Sequence, residues 1–151
     1  MIEIFRLLQL LVSIVLASQG IFYLLGLAGA VRDISIPAFA EQRNAIDKHI
    51  AGKLKILYYS ALSLGVLTMI LMKDDYGSWP FLCVALSTAF TAIDMLLAVK
   101  YNIPINKAFK SYPGSSQNWN DLRARWLRFI LVRGCFSIGA MLLLQGGLVA
   151  N

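Results

Sequence analysis

The chain of 151 residues has a formal net charge of +6, and 58% of its residues are hydrophobic. Soluble domains average about 45–50% apolar residues, so this composition and a mean hydropathy of +0.67 exclude an ordinary water-soluble globule. The excess lies in four blocks, which predict an all-α membrane protein: a single antiparallel four-transmembrane-helix bundle over residues 1–151.

Each apolar block has the length that a membrane-spanning helix needs. The blocks lie at about Leu7–Val31, Ile56–Met72, Trp79–Val99 and Phe129–Ala150. A hydrocarbon core about 30 Å thick requires about 17–25 residues, and a β-barrel would instead alternate apolar and polar residues. The first block lacks the basic start and the cleavage site of a signal peptide, so we expect it to be the first spanning helix.

The basic residues indicate a topology. Most of the 14 Lys and Arg residues lie in two regions, Arg32–Lys55 and Lys100–Arg128. By the positive-inside rule both regions face the cytoplasm, which places both termini on the other side of the membrane. In a bacterial cell this predicts a multi-pass protein of the inner membrane. Nucleic-acid binding is not expected, because no basic stripe exists apart from these membrane flanks.

The segment before the second spanning helix is amphipathic. From Ala38 to Leu54, apolar residues recur at helical spacing while charged residues occupy the other faces. This predicts a cytoplasmic extension that either lies along the membrane or continues into the second helix, and we expect continuation with a bend at Gly52. His49, the one histidine of the chain, is a candidate proton acceptor because imidazole titrates near neutral pH. A solvated histidine is the alternative.

The third block contains an acid and ends in an unusual motif. Asp94 is the one acid within the four blocks, and an ionisable residue inside a membrane is a functional candidate by default. The chain then reads Asn-Ile-Pro-Ile-Asn over residues 102–106. Pro104 predicts a break or kink, because proline lacks an N–H and clashes with the preceding turn. Asn102 and Asn106 share a helical face, where their amides either repair the broken helix end or bind a ligand.

The fourth block contains a basic residue, Arg133, within the apolar run. Arg133 lies seven residues after Trp126, so the two side chains share one helical face. A guanidinium group inside a membrane needs a partner, and Asp94 lies at a comparable depth. The sequence therefore predicts an Asp94–Arg133 ion pair, either as a structural bridge or as part of a functional site.

No pattern predicts a metal or an organic cofactor. Cys83 and Cys135 lie at different depths, which argues against a disulfide, and two thiols make a poor metal site. The chain also lacks a glycine-rich dinucleotide loop, a histidine-rich metal set and a nucleophile elbow. The oligomeric state is not indicated by any of these features.

With these residues in view, the chain resembles a family of small four-helix membrane proteins that includes fungal anthrone oxygenases. The resemblance rests on two motifs, Asn102-x-Pro104-x-Asn106 after the third helix and Trp126 followed seven residues later by Arg133 in the fourth. It covers the C-terminal half of the chain. Family members often carry a histidine between the tryptophan and the arginine, whereas residues 129–131 are apolar here.

The resemblance implies a cofactor-independent oxygenase that acts on a hydrophobic phenolic substrate. An electron-rich phenolate can itself react with oxygen, so the protein needs only to bind it, take its proton and stabilise the anion. The implied catalytic residues are His49, Asp94 and Arg133, and the implied substrate-binding residues are Asn102, Asn106 and Trp126.

The alternative is a membrane protein without catalytic activity, which binds a lipid or quinone-like molecule or serves as an accessory subunit. We expect the functional pocket to open at the cytoplasmic half of the bundle, where the asparagines, Trp126 and Arg133 converge. A pocket that holds both Arg133 and Asn106 would keep both functions open, whereas a solid core there would favour the accessory role.

Overall fold

The computed structural model describes residues 2–111 and 118–149, and these residues form helices and short turns. The long helices are α1 (Ile2–Asp33), α2 (Ile36–Leu71), α3 (Trp79–Lys110) and α4 (Trp119–Val149). Each is long and apolar enough to cross a membrane, which confirms the prediction of four helices of spanning length. A short 3-10 turn, Lys73–Asp75, lies between α2 and α3.

Helix α2 contains the predicted extension. It runs without interruption from Ile36 to Leu71, so the amphipathic segment continues directly into the apolar block. Ser35 caps its start, where the side-chain hydroxyl accepts a hydrogen bond from the backbone N–H of Ala38. Pro37 sits in the first turn, where a missing N–H breaks no hydrogen bond. Gly52, where we expected a bend, lies within this continuous helix.

Of the break or kink expected at Pro104, the structure shows a distortion of α3 without a break. The helix continues to Lys110, and the five residues Ala98–Asn102 form a π-helical segment just before the proline. The wider π turn relieves the clash between the proline ring and the preceding carbonyl, so the helix is distorted but not ended. A similar π segment, Tyr23–Leu27, interrupts α1, where Gly26 has non-helical torsion angles.

The contacts between helices follow a regular order. Along α1, contacts with α4 join Arg6 to Gly147, Gly20 to Gly134 and Val31 to Arg123. Along α3, contacts with α4 join Cys83 to Gly147, Phe90 to Gly139 and Asp94 to Arg133. The end that holds Val31 and Arg123 also holds the start of α2 and the end of α3, since Asn44 donates to the carbonyl of Phe109. We call it the basic end.

An aromatic cluster fills the interior at the basic end. Each long helix contributes one ring, from Tyr23, Phe39, Phe109 and Trp126, and all four side chains are buried. Phe39 makes edge-to-face contacts with Phe109 at 4.9 Å and with Trp126 at 5.4 Å between ring centroids. Such pairs add about 0.5–1.5 kcal/mol each beyond the area they bury. The interior around Trp126, which is part of the region where we expected the pocket to open, is therefore filled by side chains.

Candidate functional site

Three polar side chains from three helices form a closed ring in the bundle interior. The Nε of Arg133 donates to one carboxylate oxygen of Asp94 at 2.7 Å, which confirms the predicted ion pair. Its Nη2 donates to the hydroxyl of Tyr58 at 2.9 Å, and that hydroxyl donates to the other oxygen of Asp94 at 2.7 Å. All three residues are at most 7% exposed. The ring therefore holds the guanidinium group in one orientation and links α2, α3 and α4.

Asn102 extends this ring. The Nη1 of Arg133 donates to its side-chain oxygen at 3.2 Å, and its amide nitrogen donates to the backbone carbonyl of Trp126 at 3.2 Å. We call Tyr58, Asp94, Asn102 and Arg133 the central network. Each charged or polar group in it has a partner, as burial in a low-dielectric interior requires.

The π segment of α3 explains why Asp94 and Asn102 act on the same partner. Eight residues along an ideal α-helix rotate a side chain about 80° away from the starting face. A π-helical segment turns less per residue, so Ala98–Asn102 brings Asn102 back toward the face that carries Asp94. Both side chains thereby reach Arg133 on α4. The distortion next to Pro104 thus helps to position the site.

A second polar group lies nearer the basic end and is centred on Trp126. The indole N–H of Trp126 donates to the side-chain oxygen of Asn106 at 2.7 Å, and the Asn106 amide donates to Asp47 at 3.2 Å. Arg43 pairs with the same carboxylate at 2.6 Å, as its spacing of four residues from Asp47 predicts. The Arg43 guanidinium lies 4.7 Å from the centre of the Trp126 ring, within the range of a cation–π interaction.

A small cavity lies beside Arg133, between α1 and α4. Its walls are formed by Leu16, Gln19, Gly20, Asp94, Ile130, Arg133, Gly134 and Ser137. It leaves about 10 Å³ for the centre of a water molecule, which is room for about one water. Arg133 donates three hydrogen bonds within the central network. A guanidinium group has five N–H groups, so two remain to bind a further acceptor.

The structure brings together most of the residues that the sequence singled out. Asp94, Asn102 and Arg133 share the central network, and Trp126 joins it to the group that contains Asn106. Asn106 does not line the cavity beside Arg133. His49 is exposed on α2 and lies nine residues before Tyr58, about 13 Å along the helix. It is therefore not in position to exchange a proton with a group at Arg133.

Tyr58 is the member of the central network that the sequence reasoning missed. It lies inside an apolar block, where a tyrosine hydroxyl needs a hydrogen-bond partner once it is buried. That requirement is a signal in the sequence, but Tyr59 beside it carries the same signal and is exposed. Helical spacing alone does not decide which of two adjacent tyrosines faces the interior.

Arg6 and Gln9 were also missed as interior residues. Arg6 is 2% exposed, pairs with Glu3 at 2.7 Å and donates to the backbone carbonyl of Gly147. Gln9 is 1% exposed and donates to the hydroxyl of Thr88 at 3.3 Å. These contacts give α1 a polar inner face that leads from the end opposite the basic end toward the cavity beside Arg133.

The chemistry of the site rests on oxygen and nitrogen groups of the chain itself. In the described ranges, no three side chains of His, Cys, Asp or Glu lie close enough together to hold a metal ion. Cys83 is buried and Cys135 is exposed, and both are free thiols. The arrangement offers a fixed guanidinium and a paired carboxylate that line a small cavity, and a tyrosine hydroxyl that is bonded to both of them.

No protein-family model, curated protein or solved structure with which the chain was compared matches it. The resemblance to the anthrone oxygenase family stays a prediction, carried by two short motifs.

Proposed function

We propose that the protein is a multi-pass membrane protein that binds a hydrophobic small molecule through one polar oxygen, of the phenol or quinone type. The observation that carries this proposal is the cavity beside Arg133. There a buried guanidinium group with N–H groups to spare meets the apolar side chains of Leu16 and Ile130. A few fixed polar groups within an apolar surround are typical of sites for small hydrophobic ligands.

The proposed topology is an antiparallel bundle with the basic end in the cytoplasm and both termini outside. The order of contacts supports it, because positions that rise along α1 meet positions that fall along α4, from the pair Arg6–Gly147 to the pair Val31–Arg123. Both basic regions reach the same end of the bundle. The positive-inside rule assigns such an end to the cytoplasm.

Cysteine labelling tests this topology. With Cys83 and Cys135 replaced by alanine, we expect a membrane-impermeant thiol reagent to label Asp74→Cys from outside the cell and Lys110→Cys only after the membrane is opened. Both positions are exposed, and they lie at opposite ends of α2 and α3. Labelling of both variants from the same side of the membrane would contradict the topology.

The central network defines how a ligand would bind. The polar oxygen of the ligand would occupy the space that holds about one water molecule. There it would accept hydrogen bonds from the N–H groups of Arg133 that the central network does not use. Gln19 and Ser137 line the same space and add polar contacts. Because Gln19 is only half-buried, the apolar part of the ligand would lie along the surface between α1 and α4, toward the lipid.

Binding of 2-naphthol, a simple hydrophobic phenol, tests the proposed site. We expect Ser137→Leu, which fills the cavity, to abolish binding by the detergent-solubilised protein. Gln19→Ala should weaken binding about tenfold, the effect of one lost hydrogen bond of about 1–1.5 kcal/mol. Equilibrium dialysis with mass-spectrometric detection measures both variants. The same dialysis also releases any small molecule that copurifies with the protein.

Gln145→Ala is the matched control, because it removes the same amide from an exposed position of α4. It should bind 2-naphthol as the wild type does. If folded Ser137→Leu binds as tightly as the wild type, the ligand does not occupy the cavity beside Arg133.

The second candidate is a cofactor-independent oxygenase, which the adjacency of Asp94 and Arg133 favours. The carboxylate would take a proton from the phenolic substrate, and the guanidinium would stabilise the resulting anion while it reacts with oxygen. Both oxygens of Asp94 already accept hydrogen bonds from Arg133 and Tyr58, so the carboxylate would have to exchange one of these partners to take a proton from the substrate, and this ranks the function second. Anthrone is the test substrate: one O₂ should convert one anthrone to anthraquinone and water. Oxygen uptake no faster than in the absence of protein would contradict the oxygenase function and leave ligand binding as the proposed function.

A further inference from the structure

A second, larger cavity lies on the side of the basic end, between the end of α1 and the start of α4. It is lined by Arg32, Asn120, Arg123, Ala124, Leu127, Arg128 and Leu131, and its volume is about 300 Å³. We call it the arginine groove. It shares no lining residue with the cavity beside Arg133 and plays no part in the function proposed above.

The groove combines three positive charges, none of which is in an ion pair with a described carboxylate. Within residues 2–111 and 118–149, no carboxylate lies within 4 Å of Arg32, Arg123 or Arg128. Arg123 is held in place, because it donates to the backbone carbonyls of Val31 and Ile34. Arg32 and Arg128 are exposed. The groove therefore presents one fixed guanidinium group and two that are free to close on an anion.

The floor of the groove is apolar and leads toward the membrane-spanning part of α4. Ala124, Leu127 and Leu131 lie along it at helical spacing. Arg128 immediately precedes the apolar block that begins at Phe129. The three arginines thus lie where the polar end of the bundle gives way to the apolar span, which is the level of lipid headgroups in a bilayer.

We propose that the arginine groove binds an anionic phospholipid. The guanidinium groups would hold the phosphate, which matches their planar, two-pronged donor geometry, and one acyl chain would lie over Leu127 and Leu131. A free phosphate ion would use the arginines but not the apolar floor. Basic pockets between membrane-spanning helices on the cytoplasmic side are suited to such headgroups.

Native mass spectrometry of the detergent-solubilised protein, mixed with equal amounts of phosphatidylglycerol and phosphatidylcholine, tests the proposal. We expect the wild type to retain one phosphatidylglycerol in preference to phosphatidylcholine. The double variant Arg32→Gln/Arg128→Gln should lower the affinity for phosphatidylglycerol about 30-fold, the effect of two arginines near the headgroup. Arg123 is left intact there, because its bonds to backbone carbonyls also support the fold.

Two further variants distinguish a specific lipid site in the arginine groove from nonspecific attraction of the lipid to positive charge. Lys48→Gln/Lys53→Gln removes the same charge from exposed positions of α2 and should change the affinity less than about twofold, since distant exposed charges are screened. Ala124→Trp leaves the charge unchanged but fills the groove, and it should displace the lipid. Equal losses in the lysine and arginine variants, or full retention by Ala124→Trp, would overturn the proposal.

A competition arm distinguishes a lipid from a free anion. Inorganic phosphate at millimolar concentration should not displace phosphatidylglycerol, because the acyl chain contributes contacts that phosphate lacks. Complete displacement would show that the groove recognises phosphate alone and would contradict a lipid site.

Discussion

Asp94→Asn is expected to lower the free energy of unfolding by about 3–5 kcal/mol, the range for stranding one member of a buried ion pair. The substitution keeps the size of the side chain and leaves it able to accept a hydrogen bond from Tyr58. It removes the negative charge that Arg133 meets at 2.7 Å. Unfolding of the purified protein by increasing fractions of sodium dodecyl sulfate in mixed micelles measures the change.

A double-mutant cycle shows whether the lost stability comes from the interaction between Asp94 and Arg133. Arg133→Gln alone should destabilise the protein by a similar amount, because it leaves the Asp94 carboxylate buried without its cation. The double variant Asp94→Asn/Arg133→Gln should recover part of the loss, since no unpaired charge remains. Wild-type stability in Asp94→Asn would show that the carboxylate is not required to balance Arg133.

Gly134→Ala is expected to destabilise the bundle by about 3 kcal/mol, the upper part of the range for overpacking. A Cβ atom at Gly134 would lie 2.8 Å from the Cα of Gly20, and a Cβ at Gly20 would lie 2.5 Å from the Cα of Gly134. The obstacle in each case is backbone, so α1 and α4 would have to move apart. The same two glycines line the cavity beside Arg133. Gly134→Ala should therefore weaken 2-naphthol binding as well as lower the stability.

Gly146→Ala is the matched control on the same helix. A Cβ atom there meets no other atom within 4 Å, and alanine is favoured over glycine in a helix by about 1 kcal/mol. Its stability in mixed micelles should equal or slightly exceed that of the wild type. Equal losses in Gly134→Ala and Gly146→Ala would mean that the contact between Gly20 and Gly134 does not limit helix packing.

Much of the fold could be predicted because it depends on one-dimensional patterns. Blocks of apolar residues with lengths near the bilayer thickness predict four spans, and α1 to α4 all contain one. The Asp94–Arg133 pair could be predicted for a related reason. A membrane interior tolerates few charges, so the one acid within the apolar blocks is the natural partner of the buried arginine.

The parts that could not be predicted depend on packing between distant residues. Pro104 signals a distortion of α3, but its form as a π segment that turns Asn102 toward Arg133 depends on the fit against α4. The aromatic cluster is a further case. Phe39 and Trp126 lie far apart in the sequence, and their contact helps to fill the interior around Trp126, which is part of the region where a pocket was expected.

The roles predicted for single residues also depend on packing that the sequence does not show. Asn106 and Trp126 were expected to bind substrate, but each has a hydrogen-bond partner within the protein, and neither lines the cavity beside Arg133. His49 was chosen for its chemistry as the one histidine in the chain, and nothing in the sequence placed it near Arg133. Of the residues singled out in the sequence, Asp94 and Arg133 line the cavity, and Tyr58 is bonded to both.

Photolabelling is the most direct test of the claim that the cavity beside Arg133 binds a hydrophobic phenol. The probe 4-hydroxybenzophenone is itself a hydrophobic phenol, and on irradiation it attaches to nearby C–H bonds. Peptide mass spectrometry should find the label around Leu16 on α1 and Ile130 on α4, which line the cavity, and excess 2-naphthol should remove it. Label spread over outward-facing side chains such as Leu25, and unaffected by 2-naphthol, would contradict the proposed site.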